Sequence, residues 1–235
     1  MLNVIVVDAR PGETEAAVAL VDTDFLRTRS QVITLEDNVG YARACNDGAL
    51  WSALDPEVDT YVFFNADTEL RPGVLESCLE LLWSRDDYAV VGPRQVNRRG
   101  QITHAGIFGP HKGPQLRGWL TREGFEDVRD DLYSVSGSMY FIKRDVWDEL
   151  AACPEYRQID PDSEGAFLTT FLYHEETWCS VHALAHGYKI AYNGSVTAIH
   201  NWHGAIGQLE SEGTFFKDSK ARFVEACQAH GIEHN

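Results

Sequence analysis

The run Tyr61-Val-Phe-Phe-Asn65-Ala-Asp67-Thr-Glu-Leu70 constrains the fold of this chain more than any other segment. Its unbroken apolar start suits a strand covered on both faces, the kind found in sheets sandwiched between helices. The run ends at a carboxylate, and Arg71-Pro72-Gly73 then opens a stretch in which Leu75, Cys78, Leu79 and Leu82 recur at helical spacing. Pro72 suits the first turn of such a helix. In an open α/β sheet ligands bind beyond the carboxyl ends of the strands, so Asp67 stands where a ligand would sit.

Residues 2–8 are nearly all apolar, and Gln31–Leu35 and Tyr88–Gly92 have similar character. The intervals between these strand candidates are long enough for helices. Strand–helix alternation to about residue 92 therefore predicts an α/β fold with a mostly parallel central sheet. Residues 93–132, rich in Gly, Pro, Arg and His, predict hairpins and loops, and Tyr133–Lys143 returns to strand character. Asp145–Leu150 reads as a short helix and Ala151–Gly165, with its prolines and acids, as an exposed loop. A helix is expected from Glu175 to His186, with Trp178, Val181 and Ala185 on one stripe and Gly187 as its stop. Two short strands, Lys189–Tyr192 and Ser195–His200, follow, and residues 214–230 form a closing amphipathic helix carrying Phe216, Phe223 and Cys227.

At 235 residues the chain can bury a real core in one large domain or two small ones. No apolar stretch approaches the roughly 20 residues needed to span a bilayer, and Met1–Asp8 reads as a strand rather than a signal peptide. Five scattered cysteines without a C-x-x-C pair suggest reduced thiols in a cytoplasmic protein. A formal charge of −16 argues against a nucleic-acid partner. So acidic a protein can still bind a phosphorylated small molecule if a divalent cation offsets the repulsion.

Several residues carry candidate chemistry, each with a plainer role beside it. Asp67 alone is most simply a cap or turn residue, but it is also a ligand for Mg²⁺ or Mn²⁺. Asn38 and Gly40 stand at a strand-to-helix turn, where free N–H groups can meet a phosphate or ribose and where Asn and Gly are favoured anyway. Arg43 and Asn46 fall about one helical turn apart on the same face. Glu175-Glu176 suits the positive end of a helix dipole, yet adjacent carboxylates also raise one another's pKa, as a general base requires. His182 and His186 have the i, i+4 spacing of zinc ligands, but no cysteine or third histidine has matching spacing, so a surface or core pair is expected. His200 and His203 flank Trp202 just after a strand, where a histidine can join a metal site built by distant residues.

Taken in order, these segments resemble the family 2 glycosyltransferases of GT-A fold, in particular their rhamnosyl- and galactofuranosyl-transferase-like branch. Val4-Ile-Val-Val-Asp8 looks like that family's second strand, whose terminal Asp contacts the nucleotide base. On that reading the family's first strand–helix unit is missing; on the alternative, residues 2–8 are the first strand and Gln31–Leu35 a compressed second. Asn38-Val-Gly40-Tyr-Ala-Arg43-Ala-Cys-Asn46-Asp-Gly48 resembles the nucleotide segment N-x-G-[FY]-A-x-x-x-N-x-G, and Phe64-Asn65-Ala-Asp67-Thr-Glu-Leu70 the L-N-x-D-T-x-L form of the D-x-D metal motif. Val135-Ser136-Gly137 and the strand after it resemble the segment facing the acceptor. Glu175-Glu176-Thr-Trp178, running to His182, Gly187-Tyr188 and His200, resembles E-D-x-D-x-x-x-R…G-[YF]…H, with Trp178 and His182 where the family carries Asp and Arg.

The resemblance implies a nucleotide-binding half (1–92), an acceptor and catalytic half (93–213) with a small antiparallel subregion, and a C-terminal helix (214–235). It implies Glu176 as catalytic base beside Glu175, and Asp67 and His200 as ligands to Mn²⁺ or Mg²⁺. Asp8, Asn38, Gly40, Arg43, Asn46, Asn65 and Asp67 would hold the nucleotide, and Ser136, Gly137 and Trp202 the acceptor. The expected reaction is inverting transfer of a hexosyl-type sugar from a nucleotide-diphosphate sugar to a glycan, lipid-linked or protein hydroxyl. Two other readings stay open: a non-catalytic nucleotide-sugar or glycan-binding relative, and a glycoside hydrolase using Asp67 and Glu176 as its carboxylate pair.

Overall fold

Alternation along Tyr61–Phe64 sets the architecture. Tyr61 and Phe63 face one side and Val62 and Phe64 the other, and all four are buried. The sheet must therefore be covered twice. The computed structural model describes residues 2–7, 37–109, 115–200 and 212–233. Its strands are β1 (Leu2–Val7), β2 (Thr60–Asn65), β3 (Thr68–Glu69), β4 (Tyr88–Val96), β5 (Ile102–His104), β6 (Ile107–Phe108), β7 (Gln115–Leu116), β8 (Val128–Arg129), β9 (Met139–Lys143) and β10 (Lys189–His200). Its helices are α1 (Tyr41–Ser52), α2 (Val74–Trp83), α3 (Arg144–Ala152), α4 (Pro154–Ile159), α5 (Glu175–Ala185) and α6 (Glu212–Ala229).

The main sheet runs β1-β2-β9-β4-β10-β3, with β5 on β4 and β8 on β10. β1 pairs with β2 and β4 with β10 in parallel, while β9 runs antiparallel between β2 and β4. Four of the five long strands thus point the same way. β2, β4 and β10 end at one edge of the sheet, and the reversed β9 begins there. The segments after β2, near the end of β4, before β9 and at the end of β10 consequently meet at that edge.

One face is covered by α1, α3 and α5, whose Ala42, Cys45, Trp147, Leu150, Cys179 and Ala183 pack with Tyr61, Phe63 and Tyr140. The other is covered by α2 through Leu75, Cys78 and Leu82, as the helical spacing predicts. α6 lies against α5, where Phe223, Ala226 and Cys227 join Trp178, Val181 and Tyr156.

The structure corrects several sequence expectations. Ala151–Gly165 is not an exposed loop: α4 starts at Pro154, and Tyr156, Asp160 and Ser163 are buried. Within Tyr133–Lys143 only the last five residues form β9. The two short strands near the C-terminus are one strand, β10, with a register break between Asn193 and Thr197 where the Asn193 carboxamide accepts from Ser195. On α5 the buried stripe continues from Trp178 and Val181 through His182, and Ala185 is exposed. Phe216 of α6 is largely exposed. Gln31–Leu35 lies outside the described residues.

Gly40 shows how local chemistry fixes the start of α1. Its φ is 86°, a region costly for any residue with a Cβ, and its N–H donates to Asn38 Oδ1 at 3.1 Å. The next amide, Tyr41 N, donates to Phe171 O at 3.0 Å. A Cβ at Gly40 would lie 2.6 Å from Phe171 O. Gly40→Ala is expected to destabilise the fold by about 2–4 kcal/mol, combining left-handed strain with overpacking. The check is a lowered urea midpoint with an unchanged m-value.

Candidate active site

The strand-end edge gathers the candidate residues in the order the topology dictates. β2 stops at Asn65, the chain turns through Ala66-Asp67, and β3 pairs antiparallel with the end of β10, Thr68 opposite His200. That pairing brings His200 Nε2 to 3.4 Å from Asp67 Oδ1, with Asn65 Nδ2 at 3.5 Å from the same nitrogen. His200 is buried and Asp67 keeps partial access to solvent.

The loop ahead of β9 is bound to the same turn. Asn65 N and Thr68 Oγ1 both donate to Ser138 O, at 3.2 and 3.1 Å. Ser138 Oγ donates to Gln95 Oε1 at 2.7 Å and lies 2.7 Å from Ser136 Oγ. The neighbouring Gly137 accepts from the Tyr41 hydroxyl. A Cβ at Gly137 would come within 3.3 Å of the Glu176 Cβ and Cγ and 3.4 Å of Tyr41 Cε1, so a bare backbone lets the start of α5 close on this loop. Glu176 thereby joins the neighbourhood of Asp67 and His200 through Gly137 and Ser138.

Glu175 and Glu176 open α5 after two residues, Tyr173 and His174, held at positive φ. Non-glycine residues in that region carry strain that packing must offset. Here α6 supplies the packing: His174 stacks on Phe223 at 5.2 Å, Tyr173 meets Phe216 edge-on, and Ser219 Oγ donates to Leu172 O.

Burial, reinforced by the charge of Glu176, pushes the Glu175 carboxyl far above the usual carboxylate range. Its Oε2 lies 3.1 Å from Thr170 Oγ1, which is also 3.0 Å from Tyr173 O. One hydroxyl hydrogen cannot serve both acceptors, so a proton on Glu175 completes the set. Burial also raises Glu176, and backbone N–H groups of Glu176, Thr177 and Gly137 pull it back part of the way. Its Oε2 is buried with no partner among the described residues.

Other sequence-predicted residues divide. Asn38 and Arg43 are exposed beside the Gly40 turn. Asn46 is buried, and its amide holds the 163–167 segment. It donates to Phe167 O and Ser163 Oγ at 2.9 and 3.1 Å and accepts from Phe167 N at 3.2 Å. Both amide hydrogens are thereby used within the fold. Asp8 and Trp202, with His203, lie outside the described residues. Trp178 and His182, the departures from the family pattern, pack toward α4 and α6 and not toward Gly137.

Sequence reasoning missed Tyr41, Gln95, Ser138 and His104. His104 pairs across the ladder with Gln95 and accepts from Gly106 N at 3.0 Å through Nδ1. Burial and the charge of His200 lower its pKa to about 3, so it is neutral with its proton on Nε2. His104 Nε2 and Gln95 Nε2 are buried donors with no partner among the described residues. Unmet buried groups cost about 1–3 kcal/mol each, so their clustering beside His200 marks where a polar ligand is expected. The three-residue strand Ile102–His104 carries no periodic signal in the sequence, where residues 93–132 read only as hairpins and loops.

The donor set also suits a cation. Two ligand atoms each roughly 2.1 Å from one ion sit about 3–3.4 Å apart, close to the Asp67–His200 separation.

Residues 2–150, more than half of the chain, match the sequence profile of glycosyl transferase family 2. No curated protein is significantly similar to the chain. Among solved structures it is similar to A197 from STIV, with 14% identity, TM-score 0.51, and coverage of 85% of this chain and 84% of that one. It is also similar to GalNAc-T7 solved with UDP, GalNAc and Mn²⁺, with 12% identity and TM-score 0.57. There the match covers 98% of this chain but 49% of the other, so the chain spans about half the length of that relative. Among the described residues no helix is long and apolar enough to cross a membrane. The profile match and the sheet order together assign the chain to glycosyl transferase family 2, with the GT-A fold.

Proposed function

We propose that this chain transfers a sugar from a nucleotide-diphosphate sugar to an acceptor hydroxyl, with inversion at the anomeric carbon and dependence on Mn²⁺ or Mg²⁺. The observation that carries the reading is the 3.4 Å approach of His200 to Asp67 at the sheet edge where Gly137 receives Glu176.

Asp67 and His200 would hold the ion. When bound, the ion supplies Lewis-acid neutralisation of the charge that grows on the leaving diphosphate. The GalNAc-T7 structure, of the same fold, contains UDP and Mn²⁺, which supports a nucleoside diphosphate on this edge. Asn65 flanks the pair, and the Gln95 and His104 N–H groups supply neutral donors that add no charge repulsion. Glu176 is the base. Its raised pKa brings it nearer to neutrality, and its unpartnered oxygen can accept the proton of an acceptor hydroxyl. Glu175, kept protonated, stays neutral beside it, so the two carboxyls need not both carry charge. Ser136 and Gly137 border the acceptor side.

The motif pattern favours the rhamnosyl- and galactofuranosyl-transferase-like branch, hence a hexosyl-type sugar and a glycan, lipid-linked or protein acceptor. A net charge of −16 disfavours nucleic acid as acceptor. Five buried cysteines, all free, fit a reducing cytoplasmic setting.

Glu176→Gln is expected to lower turnover by at least about 10²–10⁴-fold. Calorimetry against a panel of nucleotide sugars, with and without Mn²⁺, should show its binding intact. Undiminished turnover would remove Glu176 as base, and Asp67→Asn should abolish the Mn²⁺ dependence of binding.

Glu175 gives a stability test. Its folded pKa lies above the unfolded value, so between the two the native state holds a proton that the unfolded chain has lost. Stability therefore falls as pH rises through that window. Glu175→Gln should match the parent below about pH 4.5 and exceed it above, by about 1.4 kcal/mol per pH unit until the folded pKa is passed. Urea unfolding across pH reads this directly, and a parent as stable as the variant at neutral pH would contradict it.

A further inference from the structure

We propose that Cys153, His182, His186 and His230 form a Zn²⁺ site that ties α5 to the α3–α4 junction and to the end of α6. It lies at the opposite end of α5 from Glu176 and does not depend on the catalytic reading.

The four residues come from three separate parts of the fold. Ligand atoms of Cys153, His182 and His186 all lie within 4.8 Å of one another. Cys153 Sγ is 3.6 Å from His230 Nε2, and the His182 ring is 4.8 Å from that of His186 and 4.6 Å from that of His230. In a tetrahedral zinc site with bonds of about 2.0–2.3 Å, ligand atoms sit roughly 3.3–3.8 Å apart. Cys153, His182 and His186 come closest to that range, while the His186 and His230 rings are 6.5 Å apart, so closing the site requires His230 to turn inward.

His182 supplies the independent observation. It is fully buried, yet neither ring nitrogen has a partner among the described residues. Packing against Tyr156 and Trp178 accounts for the ring's position but leaves both nitrogens unmet. An ion at the cluster satisfies one of them with a strong bond.

The surroundings are those of a metal site. His186 Nδ1 contacts Glu149 Oε1 at 2.8 Å, which orients the ring and leaves Nε2 for a ligand bond. Glu149 is itself fixed by the Tyr188 hydroxyl at 2.6 Å. Cys153 Sγ donates to Glu155 Oε2 at 3.3 Å, and on metal binding this thiol proton leaves to solvent as the S–Zn bond forms. Glu149, Cys153, Glu155, His186 and His230 line an opening that gives an ion its route in. Three imidazoles and one thiolate suit Zn²⁺, and four protein ligands make a closed, structural centre.

The test uses tag-free, reduced apoprotein titrated with Co²⁺. One equivalent should produce the intense visible bands of tetrahedral cobalt and a thiolate-to-cobalt charge-transfer band in the near ultraviolet. Cys153→Ser, nearly isosteric, should lose the charge-transfer band, while Asp67→Asn keeps it, separating this site from the one at the sheet edge. Glu149→Ala should weaken Zn²⁺ affinity about 10–100-fold, measured by chelator competition. His230→Ala, at a half-buried helix end, should weaken it at least tenfold with the fold intact by circular dichroism. Absence of a thiolate band at excess Co²⁺, its survival in Cys153→Ser, or unchanged affinity in His230→Ala would each overturn the proposal.

Discussion

The loop of Ser136, Gly137 and Ser138 is the joint on which the rest of the site depends. Ser138 O receives two donors from the β2–β3 turn, the Ser138 hydroxyl reaches Gln95 near the end of β4, and Gly137 meets both Tyr41 and Glu176. Four chain segments are thereby locked to a backbone stretch of three residues. Because β9 is reversed, this stretch lies at the same edge as the ends of its parallel neighbours. Had β9 run with them, the loop would lie at the far edge and Glu176 would lose its contact with the Asp67 side.

The sequence was most legible where period and position coincide. Tyr61–Asp67 announced a doubly covered strand that carries a carboxylate to the sheet edge, and α2 followed from apolar spacing after Pro72. It was least legible where a side chain's role depends on what folds against it. Asn46 sits one turn from Arg43 and invites a nucleotide contact, but the returning 163–167 segment takes both its amide hydrogens and also donates to its oxygen. Ala151–Gly165 looks polar, yet Asp160 is buried by pairing with Arg222 and with Thr169 N. Arg222 is 62 residues away in the chain, and Thr169 lies beyond the end of that stretch. Spacing likewise gave no reason to connect Cys153 and His230 with the 182/186 pair, because a helix supplies only i, i+4 neighbours and the other two arrive through tertiary packing.

The N-terminal strand raises a related point. Residues 2–8 were compatible with either of two strands of the family pattern. β1 pairs along its whole length with β2, Val7 opposite Asn65, with no strand between them. It is therefore the immediate neighbour of the motif strand, and its backbone leads toward the edge where Asn65 and Asp67 lie. The proposed nucleotide contact would need only that the strand end at this edge, which holds on either reading.

α5 does two jobs on two faces, and its composition follows from that division. Residue 176 faces the sheet edge; 178, 182 and 186 recur at i, i+4 on another face, toward α4 and α6. The Asp and Arg of the family pattern are replaced at 178 and 182, so the changes fall on the face away from the acids. A polar pair there would meet Tyr156, Phe223 and Cys227, where an unpaired charge is costly. Trp178 instead packs with Phe223, Ala226 and Cys227 of α6, and α6 in turn packs on His174 and Tyr173, from which Glu175 and Glu176 emerge. In the fold Trp178 supplies packing under α6, and His182 brings to the same face two ring nitrogens that packing alone leaves unmet.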